Sequence, residues 1–196
     1  MPQAGAIDSR FGVLTSHHHG VAAGIRAGRR WAADNGAFSR SFDPVRFIGW
    51  LDTMTAFRST CLFVVAPDVV ADSAATDQLW SVWYDRLQSW PVAYVGQDGA
   101  TDIPAEASAL FVGGSTTWKM SESAVALIRL AQSRQLHVHI GRVNWWQRYA
   151  AFGVLAGSEL FTCDGTRTRY DGKERTSRAW AGYQDQMALI ALPPAP

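Results

Sequence analysis

Five times along the chain a short apolar run stops at an acid, an amide or a glycine. The runs are Trp31-Ala32-Ala33-Asp34-Asn35-Gly36, Val64-Val65-Ala66-Pro67-Asp68, Ala93-Tyr94-Val95-Gly96-Gln97-Asp98-Gly99, Leu110-Phe111-Val112-Gly113-Gly114-Ser115 and Leu160-Phe161-Thr162-Cys163-Asp164-Gly165-Thr166. Such runs, with little polar alternation, are the mark of strands covered on both faces. Residues 11–15 and 136–143 read as two more, and the period of two puts His137 and His139 on one side of the latter. The stretches between have helical spacing. Asp43-Pro44 opens one helix, with proline in the first turn and Phe47, Leu51 and Met54 as its apolar stripe. Ser73 is placed to cap a second, carrying Leu79, Trp83, Leu87 and Trp90 and closed by Pro91. Ser121 or Ser123 starts a third, with Val125, Ile128 and Ala131 on one face. A fourth begins at Asn144 and stops near Gly157, and residues 187–192 form a last apolar helix or strand.

Strands alternating with helices predict a parallel sheet. Seven strands are well marked, and repeated polar strand ends are what a parallel barrel gathers on one face. A full eight-fold barrel takes about 250 residues, whereas this chain has 196. The expected fold is a compact, trimmed TIM-type (β/α) barrel of seven to eight parallel strands, a single domain over residues 1–196. A doubly wound open sheet is the alternative, but no Gly-rich dinucleotide fingerprint follows the first strand.

Composition narrows the field. The chain is 47% hydrophobic and 18% charged, with a formal net charge of +1. That suits one globular core and gives no global basic field to announce nucleic acid. Its two cysteines, Cys61 and Cys163, fall in strands and read as small buried apolar residues; they make neither a disulfide framework nor a cysteine-rich zinc site. No secretory leader and no membrane-length apolar run is evident, so a cytoplasmic protein of a bacterium or phage-infected host is expected. His17-His18-His19 suggests a metal, but adjacent side chains point apart and seldom chelate together; a loop lining the pocket is the preferred reading. The tryptophans at helical spacing read as packing against the sheet. Residues 167–178, rich in arginine, read as a solvated segment unless their place after a polar strand end is used.

The strand ends, taken in order, resemble those of the tRNA-guanine transglycosylases, and more closely the small phage and bacterial relatives linked to 7-deazaguanine modification of DNA. The likeness runs from about Trp31 to Thr166. The segment from Trp31 through Phe38 is similar to the family's Asp-Ser-Gly-Gly-Phe stretch, with Asn35 for serine and Ala37 for the second glycine. Val65-Ala66-Pro67-Asp68 falls at the second acid, Val95-Gly96-Gln97-Asp98-Gly99 at the Gln-Gly-Gly stretch, and Phe111-Val112-Gly113-Gly114 at the Gly-Gly strand end. Cys163-Asp164-Gly165-Thr166 falls at the nucleophilic aspartate. Two departures stand out. The family's zinc site of three cysteines and a histidine is missing, and Thr162 interrupts its usual Phe-Asp-Cys order.

The resemblance implies a base exchange through an oxocarbenium-like centre at C1′, with Asp164 as nucleophile and Asp34 handling the proton of the departing or entering base. It implies a base site of Asn35, Asp68, Gln97, Gly113 and Gly114, Asp68 accepting from the ring N–H and exocyclic amine. The base would be a 7-deazaguanine of the preQ0 type, exchanged for guanine in DNA rather than tRNA, with no cofactor. A duplex base must be flipped out or single-stranded to be reached. Arg142, Arg167 and Arg169, with Arg148, are placed to hold phosphates beside the pocket. A partner protein or a homo-oligomer would extend so small a surface. Two rivals use the same residues: a nucleoside or nucleotide N-glycosidase with water as acceptor, and a base-binding barrel without chemistry. Read alone, Asp34, Asp68 and Asp98 also serve as turn and cap residues.

Overall fold

The computed structural model describes residues 12–38, 42–143 and 160–165. Its frame is a sheet of seven strands, all parallel, in the order β1-β2-β3-β4-β5-β6-β7. They are β1 (Val13–Ser16), β2 (Trp31–Asp34), β3 (Cys61–Val65), β4 (Val92–Gly96), β5 (Ala109–Val112), β6 (His137–Ile140) and β7 (Phe161–Cys163). Each strand pairs with its sequence neighbour, so the winding never reverses. That rules out the doubly wound alternative, whose strand order must turn back at a switch point. The sheet is curled into a half-barrel, and among the described residues β1 and β7 are not paired with each other.

The two faces of the sheet bury different things. One, with Trp31, Ala33, Val64, Val92, Tyr94, Leu110, Val112, Val138 and Ile140, packs against the helices. These are α1 (Ala23–Arg26), α2 (Pro44–Met54), α3 (Ser73–Leu87), α4 (Thr116–Lys119) and α5 (Glu122–Ser133). The other holds a separate cluster made of strand residues only: Ala32, Phe63, Val65, Ala93, Val95 and Ala109, with Leu14, Leu62 and Phe111 against it. This is the inner, concave face. Alanine on β2, β4 and β5 leaves room for the sheet to curl around Phe63 and Phe111.

The helices start where the sequence says, with two shifts. Asp43 caps α2 by accepting from the Arg46 amide, Pro44 takes the first turn, and Phe47, Leu51 and Met54 are buried. The α3 cap is Asp72, not Ser73: its carboxylate accepts from Ala75 N–H. Its buried stripe is Thr76, Trp80, Trp83 and Leu87, so Trp80 occupies the place expected of Leu79, and the helix ends before Trp90. Ser121 caps α5, whose buried face is Ala124, Leu127, Ile128 and Ala131; Val125 lies at its edge. Trp80, Trp83 and Trp90 pack in the helix-facing core. Cys61 and Cys163 are free, and burial pushes the Cys61 thiol up to about 12, as for an inert apolar residue. The expected helix from Asn144 and the final segment at 187–192 lie outside the described residues. No described helix is long and apolar enough to cross a membrane.

Candidate functional site

Seven parallel strands end on one rim, and the alternation that turns Ala32, Val95 and Phe111 inward continues past their ends. It brings Asp34, Gln97, Gly113 and Asp164 to the same side, and Ser16 pairs in register with Asp34.

Asp34 is the last residue of β2. Its Oδ1 accepts from the Gly36 N–H at 3.0 Å, a turn that Gly36 permits with φ of 76°. Burial raises its pKa above the ordinary carboxylate range; the Gly36 N–H opposes this, and the charge of Asp164 adds to it. The two carboxylates are therefore close enough to repel.

Asp68 is held by two amides. Asn35 Nδ2 donates to its Oδ1 at 2.6 Å and Gln97 Nε2 to its Oδ2 at 2.6 Å. Asn35 Nδ2 also donates to the Ala66 carbonyl at 2.8 Å, while its Oδ1 accepts from Ala37 N–H at 2.8 Å. Both amide protons are thus spent, and a flipped amide would set oxygen against two acceptors. Gln97 Oε1 accepts from the Ala71 N–H at 2.9 Å. Asn35 and Gln97 are consequently the walls of an Asp68 cradle. Despite these donors, burial dominates and Asp68 too is raised, with Asp34 adding to the rise.

The glycines after β5 serve this cradle. A Cβ on Gly113 would lie 2.8 Å from Gln97 Nε2 and 2.9 Å from Val95 Cγ1. One on Gly114 would lie 2.6 Å from Asp98 Oδ1, at a φ of 71° that already disfavours a side chain. The Gly113 N–H donates to the Gly96 carbonyl, and the Gly114 carbonyl accepts from Arg142 Nη2 at 2.9 Å. Asp98 instead ties down the next loop, accepting from the Ser115 N–H and Oγ at 2.6 Å each.

Asp164 follows β7. Its Oδ1 accepts from the Arg142 N–H at 2.9 Å and lies 3.2 Å from His139 Nε2. Burial works against its charge, but His139, the Arg142 amide and the Lys119 ammonium outweigh it and hold the pKa below the usual range. Its side chain is 30% exposed, that of His139 only 5%. Lys119, itself buried, donates from Nζ to the Gly141 carbonyl at 2.7 Å. Arg142, expected at a phosphate, sits at φ of 59° with its guanidinium 4.0 Å from the centre of the Phe38 ring. It joins the β2, β5 and β6 loops across the rim.

Comparison of the chain with protein-family models, with curated proteins and with solved structures gave no match.

The His17-His18-His19 loop follows β1 and lies against the β2 turn. The His17 and His18 rings are 3.9 Å apart, and His18 Nε2 would be 3.2 Å from a Cβ on Gly36. His19 instead pairs Nδ1 with Ser16 Oγ at 3.2 Å. Burial and the neighbouring His18 lower the His17 pKa. Among the described residues no group of three or more His, Cys, Asp or Glu side chains is arranged to hold a metal. Arg148, Arg167 and Arg169 lie outside the described residues.

Sequence reading gave no site role to His139, Thr162 and Lys119. The signal for His139 was present, in the period-two pairing with His137 along an apolar strand. Lys119 carried a fainter one: it is one of only two lysines in the chain.

Proposed function

We propose that the protein is a base-exchange transglycosylase that replaces guanine in a nucleic acid, DNA in preference to tRNA, with a 7-deazaguanine base. One observation carries the reading. Two carboxyl groups stand on one rim in unlike surroundings: Asp164 accepts from the Arg142 N–H at 2.9 Å with His139 Nε2 at 3.2 Å, which favours its charge, whereas burial disfavours the charge of Asp34 beside the Gly36 turn. Such a split is how a site assigns an acid and a nucleophile to chemically identical groups.

The chemistry balances without a cofactor. Asp164 attacks C1′ as the bond from C1′ to N9 of guanine breaks, and its electron pair goes to the base. Protonated Asp34 supplies the proton, so guanine leaves neutral. The incoming 7-deazaguanine then gives its N9 proton to the Asp34 carboxylate and forms the new bond at C1′, displacing Asp164. Two displacements return the sugar to its starting configuration. Both described bonds to Asp164 fall on Oδ1, which supports Oδ2 as the attacking oxygen. Asp68, which feels the charge of Asp34, is the residue proposed to accept from the base's ring N–H and amine. The strand-end resemblance from Trp31 to Thr166 supports the same assignment, and Arg142, Arg167 and Arg169 remain the residues proposed for phosphate.

The test is incubation with guanine-containing DNA and with tRNA, each with labelled guanine or a 7-deazaguanine, followed by denaturing electrophoresis. Label entering the polymer, with a protein–nucleic acid adduct in the absence of acceptor base, is the expected result. Release of base with no incorporation would instead support the N-glycosidase, and saturable base binding without turnover the non-catalytic barrel.

A further inference from the structure

Behind Asp164 runs a chain of groups that the exchange chemistry does not use. His139 Nε2 is 3.2 Å from Asp164 Oδ1; His139 Nδ1 is 2.8 Å from Thr162 Oγ1; His137 Nε2 is 2.8 Å from the same hydroxyl. β6 and β7 pair in register, with His139 opposite Thr162, so the chain follows from strand alternation. The His139 ring is held on both sides. Phe111 stacks on it at 4.8 Å with 28° between planes, and Phe63 approaches at 5.2 Å.

For a singly protonated His139 ring, donor counting sets the direction. A carboxylate only accepts, so the proton between His139 and Asp164 sits on Nε2. If the ring carries only that proton, Nδ1 accepts, and the Thr162 hydroxyl donates its single proton there. The Thr162 oxygen then accepts from His137 Nε2–H. Every group is satisfied once, and the chain points at Asp164. The reverse order would need a second proton on the His139 ring or a proton on the Asp164 carboxyl, and the Arg142 N–H and the Lys119 ammonium oppose the latter.

We propose that His139 is a positioning residue for Asp164, its tautomer locked by Thr162 and His137 so that Oδ1 is held and Oδ2 is aimed at C1′. The aiming rests on the base-exchange reading; the tautomer lock does not. The charged and titratable groups around the pair are Asp34 from β2, Lys119 from α4, His137 from β6 and Arg142 from the turn after it, with Arg30 acting on His137. None of them supplies a second donor from Thr162's position, so loss of Thr162 should release the ring.

Two measurements are made on the full chain. Nitrogen-15 NMR of the histidine-labelled protein, without substrate, should show His139 as a neutral ring protonated on Nε2. Carboxyl carbon-13 NMR should show the Asp164 titration moving to higher pH in His139→Leu and moving back toward wild type in His139→Gln, which keeps a donor. In the exchange assay His139→Leu should lower the rate of adduct formation about 100-fold, and Thr162→Val about 10-fold, with the KM for base little changed. The acid limb of the rate should shift to higher pH in His139→Leu, where a purely structural loss would lower the rate equally at every pH. A ring protonated on Nδ1, a doubly protonated ring at neutral pH, or an unmoved Asp164 titration overturns the proposal. If wild type forms no adduct while the NMR results hold, the exchange reading fails and the tautomer lock stands.

Discussion

Two aspartates of equal intrinsic acidity sit on one rim, and their surroundings push their acidities apart. Asp34→Asn and Asp164→Asn should therefore fail differently. Asp164→Asn removes the attacking charge, so base binding survives and no adduct forms. Asp34→Asn keeps the Gly36 turn bond but loses the proton, so the adduct should form slowly and with weak dependence on acid pH. If electrophoresis shows an adduct with Asp164→Asn and none with Asp34→Asn, the assignments are reversed. Stability should separate the two as well. The folded state raises the Asp34 pKa, so it favours the protonated form. That contribution is present below the ordinary carboxylate range and is lost as pH rises through the raised value. Asp34→Asn should thus be more stable than wild type at neutral pH and not at acid pH, as urea titrations would show. A loss of stability at neutral pH would mean that the Asp34 charge is not a burden in the fold.

Loops after the strands hold the site because helix caps and glycines hold the loops. Asp72 caps α3, and the Thr76 hydroxyl accepts from Val69 N–H at 3.0 Å and donates to the Asp72 carbonyl at 2.7 Å, pinning the loop that carries Asp68. Asp72→Ala should cost about 1 kcal/mol while Ser73→Ala costs close to nothing, by chemical denaturation. A cost for Ser73→Ala with none for Asp72→Ala would return the cap to Ser73. The sequence pointed to Ser73; the placement of Ala75 N–H gives the cap to Asp72. The α3 stripe shows the same thing. Leu79 and Trp80 are adjacent and both apolar, and which one turns inward depends on how the helix sits on the sheet. Gly113→Ala tests the coupling of loop to site. The added methyl meets Gln97 and Val95, so we expect a loss of about 1–3 kcal/mol together with weaker base binding, since Asp68 loses one of its two amides. Destabilisation with unchanged base affinity would separate Gly113 from the cradle.

Across the molecule, curling the sheet buries His137 as well as His139 on the inner face. Burial, with His139 and Arg30 nearby, drives the His137 pKa down from 6.5 to about 4. The unfolded chain therefore binds the proton first. Stability contributed by neutral His137 should be intact above 6.5 and fall as pH drops toward about 4, by up to about 3 kcal/mol. Denaturation midpoints across that window should show the fall, and His137→Gln should flatten it. An equal slope in both would place the acid sensitivity elsewhere.

The apolar runs by themselves determined the strands, their parallel pairing and the polar residues at their ends. A buried strand has a period of two and a required length, and both are local properties. Hence Asp34, Asp68, Gln97 and Asp164 were legible as strand-end residues from the sequence alone. Three things were settled only in three dimensions. The sheet curls into a half-barrel and does not close between β1 and β7 within the described residues, because curvature depends on how Ala32, Ala93 and Ala109 pack around Phe63 and Phe111. Asn35 and Gln97 turn to Asp68 because the β2, β3 and β4 ends converge there. His139 reaches Asp164, and Lys119 the Gly141 carbonyl, across separations of 25 and 22 residues, which no local pattern encodes.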